Sequence, residues 1–242
     1  GNSITFCYNP AGMTAAFDQE LAETLGAALL AEVKFTTVMF GDLQQMPIAF
    51  DYRIPLGVDQ IFLLLVEHCD AFMGFLVNDQ NPEWIMLTRP YLTARTVMFT
   101  ADPDATSIAD TELPDGSLRA GVRMMAPGDA QLINFMSTQP DWTRVPYHDN
   151  RLVLDRVADG TNAVGMMWAP GYTFATATEP AYAGLHPIEL PFPVRDIPLG
   201  IATRAQDTYL NQLLSEAITA LEADGTLAAL LEAHHLAAAA EN

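Results

Sequence analysis

Residues 69–91 read CDAFMGFLVNDQNPEWIMLTRPY, and the apolar run at 71–77 stops abruptly at the polar residues NDQNP of 78–82. A short apolar run that ends in turn residues is typical of a strand buried on both faces of a sheet. Strands of this kind belong to parallel sheets, and ligands of open α/β proteins bind beyond their carboxyl ends. We therefore predict a strand over 69–77 that presents Asn78 and Asp79 to a ligand.

The residues before this strand alternate between strand-type and helix-type patterns. Strands are predicted over 4–8 and 33–40, and helices are predicted over 17–31 and 58–66. Strand, helix, strand, helix, strand is the order of a parallel sheet with crossover helices. The first hundred residues are therefore expected to form one α/β unit.

A second α/β pattern follows, after which the chain returns to the first. The predicted elements are strands over 96–100, 117–123, 163–168 and 199–203 and helices over 130–137 and 152–157. The residues Ala169-Pro170-Gly171 break the last strand of the second pattern. Near the end, Asp207 is predicted to cap a helix that stops at Gly225. Thr226 is predicted to cap one more short helix.

This order predicts two α/β lobes, with the second inserted in the first. Lobe 1 is expected to comprise residues 1–100 and 198–242, and lobe 2 residues 101–197. Two connectors, near 100–104 and 190–198, would form a hinge that allows the two lobes to close. The last three residues, 240–242, follow a bare alanine run and are expected to be a remnant of cloning.

The charge of the chain limits its partners. Its 242 residues include 30 acidic and 11 basic residues, which gives a net charge of -19. Such a surface repels nucleic acid and anionic lipid, so neither is expected as a partner. No run approaches the roughly 20 apolar residues that span a bilayer, so no membrane insertion is expected. The chain opens directly on a strand-like segment, as expected of a mature or trimmed protein. The protein is expected to be a monomer.

Motifs that would indicate catalysis or a metal site are missing from the sequence. It contains no G-x-S-x-G, no H-E-x-x-H and no glycine-rich phosphate loop. Its five histidines have no ligand companion at a usable spacing, and the paired methionines at 124–125 and 166–167 suit a core or an adaptable pocket. We therefore expect no enzyme, no bound metal and no resident cofactor.

The carboxyl ends of the predicted strands provide the candidate ligand-binding residues. These are Asn9, Met13, Asn78, Asp79, Arg123, Met125, Asp129 and Trp168. Several of them have an alternative interpretation. Trp168 could stack on a flat ligand or fill the core, and Arg123 could pair with a carboxylate or form a surface salt bridge. Asp129 falls at a helix N-terminus, where its charge weakens the case for anion binding.

The two cysteines, Cys7 and Cys69, fit no zinc-binding spacing. Both fall in apolar strand-like runs. They could be two buried free thiols, or a disulfide that closes a loop of about 60 residues and stabilises the fold by about 4 kcal/mol. Only the disulfide would imply an oxidising compartment.

The order of motifs resembles family 3 of the bacterial extracellular solute-binding proteins, which deliver polar amino acids to ABC importers. The shared marks are Phe17-Asp18-x-Glu20-Leu21-Ala22, Cys69-Asp70-Ala71-x-Met73-Gly74, Thr88-Arg89-Pro90-Tyr91 and Leu221-x-x-Asp224-Gly225-Thr226-Leu227. The resemblance covers nearly the whole chain. It implies the two-lobed periplasmic-binding-protein fold of class II, a periplasmic location and an ABC permease as partner.

Two departures from the family pattern argue against a standard amino acid as ligand. Family members usually carry Thr-x-x-x-x-Arg where this chain has Val77–Glu83, so the arginine that clamps the α-carboxylate is missing. Trp168 stands where the family usually has the Asp that meets the α-amino group. We therefore expect a small ligand that is not a standard amino acid.

These departures resemble the subgroup associated with quinoprotein (methanol or alcohol) dehydrogenases. That subgroup shares Cys7, the Cys69-Asp70 pair, the Thr88–Tyr91 motif and a Trp-x-Pro like Trp168-Ala169-Pro170. The resemblance implies a Cys7–Cys69 disulfide. It also offers an alternative function, an accessory protein of a PQQ-dependent dehydrogenase with a vestigial cleft, and names pyrroloquinoline quinone (PQQ) as a candidate ligand. An enzyme on the same fold, such as a dehydratase or cell-wall lyase, is the third hypothesis.

Overall fold

The computed structural model describes residues 2–10, 12, 14–36, 58–76, 81–111, 113–124 and 126–237. In chain order its elements are β1 (Ser3–Cys7), α1 (Ala15–Ala28), β2 (Glu32–Thr36), α2 (Val58–Glu67), β3 (Ala71–Leu76), β4 (Ile85–Leu87), β5 (Leu92–Ala94), β6 (Thr96–Thr100), β7 (Leu118–Arg123), α3 (Asp129–Met136), β8 (Trp142–Tyr147), α4 (Asn150–Ala158), β9 (Val164–Trp168), α5 (Ala169–Thr178), β10 (His186–Ile188), β11 (Ile197–Arg204), α6 (Thr208–Ala223) and α7 (Thr226–Ala233). Short 3₁₀ helices cover Ile108–Asp110 and Pro180–Tyr182.

The chain divides into two compact units and passes between them twice. Unit 1 comprises Gly1–Thr93 and Ile197–Ala237, and unit 2 comprises Ala94–Asp196. The boundaries differ from the expected 100/101 and 197/198 by a few residues. The reason is that β6 pairs with β9 and β10, so residues 96–100 belong to the sheet of unit 2.

The sheet of unit 1 has the strand order β2-β1-β3-β11-β4, with β5 pairing to β11. The strands β1, β2 and β3 run parallel, as the strand and helix alternation predicted, whereas β11 is antiparallel to β3 and β4. Buried side chains from α2 and the sheet form one apolar cluster: Cys7, Ile61, Leu64, Leu65, Phe72 and Phe75. The predicted strand over 69–77 is β3, and residues 77–80 lie outside the described part of the chain.

The sheet of unit 2 has the strand order β10-β6-β9-β7-β8, and β9, β7 and β8 run parallel. One face of this sheet is covered by α3 through a fully buried cluster that includes Met98, Val122, Leu132 and Met166. On the other face two glycines in register, Gly121 and Gly165, leave room for neighbouring rings. The predicted mixed α/β fold with two sheets is confirmed.

The disulfide predicted from the resemblance is present. Cys7 at the end of β1 is bonded to Cys69 just before β3, across 62 positions of sequence, and both residues are buried. The described part of the chain contains no free cysteine.

The structure corrects three local predictions. The residues Ala169-Pro170-Gly171 end β9 but also begin α5, because proline is well placed in the first turn of a helix. Asp207 stands at the N-cap of α6, but its carboxylate accepts a hydrogen bond from the Arg204 side chain instead of capping the helix. Gly225, with a positive φ of 83°, is the N-cap of α7, so Thr226 is the first helical residue.

Candidate functional site

The parallel strands of unit 2 end side by side and form the best described candidate site. Arg123 ends β7 and stands in register with Tyr147, which ends β8, while Trp168 ends the neighbouring strand β9. We call these three strand ends the carboxyl edge of unit 2. Parallel strands lie about 4.8 Å apart, so the backbones at these ends are close neighbours.

Arg123 combines partial burial with the lack of a hydrogen-bonded or salt-bridged partner within the described part of the chain. Its side chain is half-buried, and burial lowers the pKa of the guanidinium, while the nearby Asp149 carboxylate opposes that shift. Among the described residues no hydrogen bond or salt bridge reaches this guanidinium. A desolvated arginine with free donors is suited to bind a carboxylate or another anion in a bidentate pair.

Trp168 is half-buried and held in place at the start of α5. Its indole Nε1 donates a hydrogen bond of 3.3 Å to the carbonyl of Ala94, within unit 2. Side chains alternate along a strand, so Trp168 leans to the face of Val122 and Met166, and Arg123 to the opposite face. The two residues therefore present an aromatic ring and a cation at one edge, from different faces of the sheet.

Asp129 is engaged within unit 2. It is buried at the start of α3, and its two carboxylate oxygens accept hydrogen bonds of 2.7 Å from Nε and Nη2 of Arg144 on β8. This bidentate pair neutralises the acid and ties the first turn of α3 to β8. The first turn of the helix therefore carries a protein carboxylate that is paired with Arg144.

The corresponding edge of unit 1 is described only in part. Asn9 follows β1, is exposed, and its carbonyl accepts a 3.0 Å hydrogen bond from the backbone N–H of Gly12. The other predicted site residues, Met13, Asn78, Asp79 and Met125, lie outside the described residues. Their assignment as ligand-binding residues stays a prediction.

Behind the loop that follows β1, unit 1 contains a buried carboxyl group. Asp18 accepts hydrogen bonds from Thr14 Oγ1 at 3.0 Å and from Tyr91 Oη at 3.2 Å. Burial raises its pKa to about 7, although both hydrogen bonds lower it. Gly74 packs beside this carboxyl group: a Cβ there would lie 3.4 Å from Asp18 Oδ2, an ordinary van der Waals contact, whereas its φ of 74° favours glycine.

Tyr147 and Asp149 are edge residues that the sequence analysis missed. The Tyr147 hydroxyl accepts a 3.0 Å hydrogen bond from Asn162 Nδ2, and Asp149 caps α4 through the backbone N–H of Arg151. The buried Oδ1 of Asn162 has no hydrogen-bond partner in the described part of the chain. An N-cap aspartate before the helix pattern at 152–157 was the one available signal for this strand end.

Within the described ranges, no group of three or more His, Cys, Asp or Glu side chains is arranged to hold a metal ion. No helix among these residues is long and apolar enough to cross a membrane.

Several solved structures similar to this chain are described as amino-acid-binding proteins. An ancestral cationic amino acid solute-binding protein matches with a TM-score of 0.72 and 17% identity, over 97% of this chain and 96% of its own. The second substrate-binding domain of a putative amino acid ABC transporter from Streptococcus pneumoniae matches with a TM-score of 0.70 and 13% identity, over 96% and 100% of the two chains. The chain has the two-lobed fold of the periplasmic solute-binding proteins.

Other similar structures extend the range of proteins that share this solute-binding-protein fold. An amino acid ABC transporter substrate-binding protein from Streptococcus pneumoniae, solved with L-arginine, has a TM-score of 0.64 and 17% identity over 100% of this chain and 97% of its own. Another, at 17% identity, is an ancestral amino acid-binding protein described as a precursor of cyclohexadienyl dehydratase. No protein-family model matches the sequence, and no curated protein matches it. The TM-scores show that the chain shares the fold of these proteins, and the low identities leave the ligand to be inferred from the residues of the site.

Proposed function

We propose that the chain is a periplasmic solute-binding protein that binds a small anionic solute, other than a standard amino acid, for an ABC-type importer. The observation that carries the proposal is the half-buried Arg123, which has no hydrogen-bond or salt-bridge partner among the described residues. It lies at the carboxyl ends of parallel strands, where open α/β folds bind ligands. The binding function, in place of catalysis, agrees with the similar structures, which are mostly described as binding proteins.

The periplasmic location is supported by the disulfide. Disulfides persist in secreted and periplasmic proteins and are rare in the cytosol, where thiols are kept reduced. Cys7 and Cys69 are both buried in the core of unit 1. The bond is therefore part of the folded structure of unit 1.

The ligand class follows from the carboxyl edge of unit 2 together with the sequence. Arg123 would pair with a carboxylate, and the Trp168 ring would stack on a flat or apolar body. Trp168 cannot accept a hydrogen bond from an α-amino group, because the indole N–H is only a donor. Asn9, Met13, Asn78, Asp79 and Met125 are proposed as further ligand-binding residues.

A thermal-shift screen tests this proposal. The panel contains dicarboxylates, PQQ, the standard amino acids and polyamines, each added in large excess. A ligand at about 100 times its Kd stabilises the folded protein by about 2.7 kcal/mol, so the melting temperature should rise with an anionic compound and stay unchanged with polyamines. Arg123→Gln should abolish the rise. Arg156→Gln, an exposed position on α4, should preserve it, and equal effects of the two variants would contradict the proposal.

The alternative is an accessory role beside a quinoprotein dehydrogenase. The disulfide favours it, because Cys7 and Cys69 are shared with that subgroup. This role predicts co-purification with a dehydrogenase and no response to the whole ligand panel. A shift with PQQ alone would instead indicate that the protein handles the cofactor of that enzyme.

A further inference from the structure

Unit 2 contains a cavity at the opposite end of β8 from the carboxyl edge. The cavity has a volume of about 370 Å³, and its lining includes Ile108, Phe135, Gln139, Trp142, Glu189 and Pro191. Trp142 begins the six-residue strand β8 and Tyr147 ends it, so the cavity lies five residue steps from the carboxyl edge. At about 3.3 Å per residue this distance is roughly 17 Å, so the cavity is separate from the proposed solute site.

The cavity has aromatic walls that are held in place by the core. Phe135 and Trp142 are half-buried and pack against the buried cluster that includes Ile108 and Leu132. The ring of Phe135 also contacts Phe192, with 5.6 Å between the ring centroids. These contacts fix an apolar surface of the kind that binds the body of a small organic molecule.

Glu189 is the one charged residue among the described residues that line the cavity. Its backbone N–H donates to the Thr106 carbonyl at 2.9 Å, which holds this part of the chain against residues 106–107. Its carboxylate has no hydrogen bond or salt bridge to any residue that the structure describes. Neither Trp142 Nε1 nor the Gln139 side chain is bonded to a protein group within those same residues.

The chain segment that contributes Ser107, Ile108 and Ala109 to the cavity is acidic. The sequence between 101 and 118 contains no Lys or Arg, but it does contain Asp102, Asp104, Asp110 and Asp115. The net charge of the chain is -19. Such a field raises the local concentration of cations near an open carboxylate.

We propose that this cavity binds an organic ammonium ion with an aromatic or branched apolar body. The ammonium group would pair with the Glu189 carboxylate, and the apolar body would lie against Trp142 and Phe135. A cation beside an indole face gains additional attraction from the ring quadrupole, which is largest for tryptophan. The volume lies at the small end of the range of ligand pockets, about 300–1,000 Å³, and suits a compact arylalkylamine.

The test uses protein labelled with 5-fluorotryptophan and 19F NMR, because the three tryptophans report on three different places. Trp142 lines the cavity, Trp168 belongs to the carboxyl edge and Trp84 lies in unit 1. Tryptophan-to-phenylalanine variants assign the signals. Titration with 2-phenylethylamine should shift the Trp142 signal saturably at about 1 mM or below, and leave the Trp168 signal in place.

Two comparisons isolate the charge. The neutral analogue 2-phenylethanol, and the Glu189→Gln variant with the amine, should each show affinity at least about tenfold weaker, because the charge-assisted contact is lost. Asp141→Asn removes an exposed carboxylate next to Trp142 that does not line the cavity, so it should change the affinity less than about twofold.

Three results would overturn the proposal: no shift of the Trp142 signal up to about 10 mM amine, a shift of Trp168 alone, or equal binding of the amine and the alcohol. The thermal-shift screen with anionic ligands tests the carboxyl edge, and the 19F NMR titration tests the cavity. Failure of one proposal therefore leaves the other intact.

Discussion

Asp18 is a single residue whose protonation should contribute to the pH dependence of stability. Its pKa in the folded protein is about 7, against an ordinary value of 3.8. The folded state therefore holds a proton between these values that the unfolded state has released. The stabilisation is fully present below about pH 4 and is lost as the pH rises through 7, by up to about 4 kcal/mol in total.

Urea unfolding at about pH 4.5 and pH 8 measures this effect through the variant Asp18→Asn, which keeps the shape but cannot titrate. The free energy of unfolding of the wild type, relative to that of this variant, should be larger at about pH 4.5 than at about pH 8. Asp141→Asn, at an exposed position, should give the same difference at both pH values. An identical pH profile for wild type and Asp18→Asn would contradict the prediction.

Only part of the chemistry at these residues could be predicted from the sequence. The ends of the predicted strands were sufficient to predict that Arg123 and Trp168 lie at the carboxyl edge of unit 2. The ion pair of Asp129 with Arg144 could not be predicted, because it joins α3 to a strand that the pattern did not reveal. The raised pKa of Asp18 likewise depends on burial by Gly74 and Tyr91, which are 56 and 73 positions away.

At the scale of elements, the close packing of β9 should make Gly165 intolerant of a side chain. A Cβ at this position would lie 2.5 Å from Cζ of the fully buried Phe99 and 2.9 Å from a methyl group of Val157. Gly165→Ala should therefore lower the free energy of unfolding by about 1–3 kcal/mol. Gly184→Ala, with no atom within 4 Å of the new Cβ, should change it by less than about 0.5 kcal/mol.

The contact between α3 and β8 should depend on the pair formed by Asp129 and Arg144. Their side chains are 10% and 23% exposed. A double-mutant cycle with Asp129→Asn and Arg144→Gln should give a coupling energy above about 1 kcal/mol. The exposed pair Arg156–Asp159, at 44% and 42%, should couple by less than about 0.5 kcal/mol. Equal coupling energies in the two cycles would show that burial does not strengthen the pair of Asp129 and Arg144.

Strong periodic patterns identified most elements, and the missed ones have physical reasons. β8 reads WTRVPY, which lacks both an apolar run and regular alternation. It is the end strand of its sheet, where a strand needs less apolar surface and where Pro146 is tolerated. α5 was missed because Pro170 and Gly171 usually signal a break, although proline also suits a first helical turn.

For the whole molecule, the disulfide should contribute a large share of the stability. It closes a loop of 62 positions, for which the chain-entropy relation gives about 4 kcal/mol. The double variant Cys7→Ala/Cys69→Ala should therefore lose roughly 2–4 kcal/mol in urea unfolding. A reductant should destabilise the wild type similarly and leave the double variant unchanged. A reductant effect on the double variant would mean that another group is responsible.

The two-sheet α/β fold was predictable because the alternation of strands and helices recurs in both halves of the sequence. The family resemblance rested on short motifs such as Thr88–Tyr91, and the similarity to solved structures agrees with it at the level of the fold. The ligand was less predictable, because it depends on side chains brought together from separate strands.

The insertion of unit 2 within unit 1 affects how the protein is made. β11 lies between β3 and β4, yet it is separated from them by all of residues 94–196. During synthesis from the amino end, about a hundred further residues must therefore be made before β11 can pair with β3. Cys7 and Cys69 both precede residues 94–196, so the disulfide can link β1 to the segment of β3 before unit 2 has been synthesised. Until β11 arrives, β3 is a bare strand edge on which another newly made copy could pair.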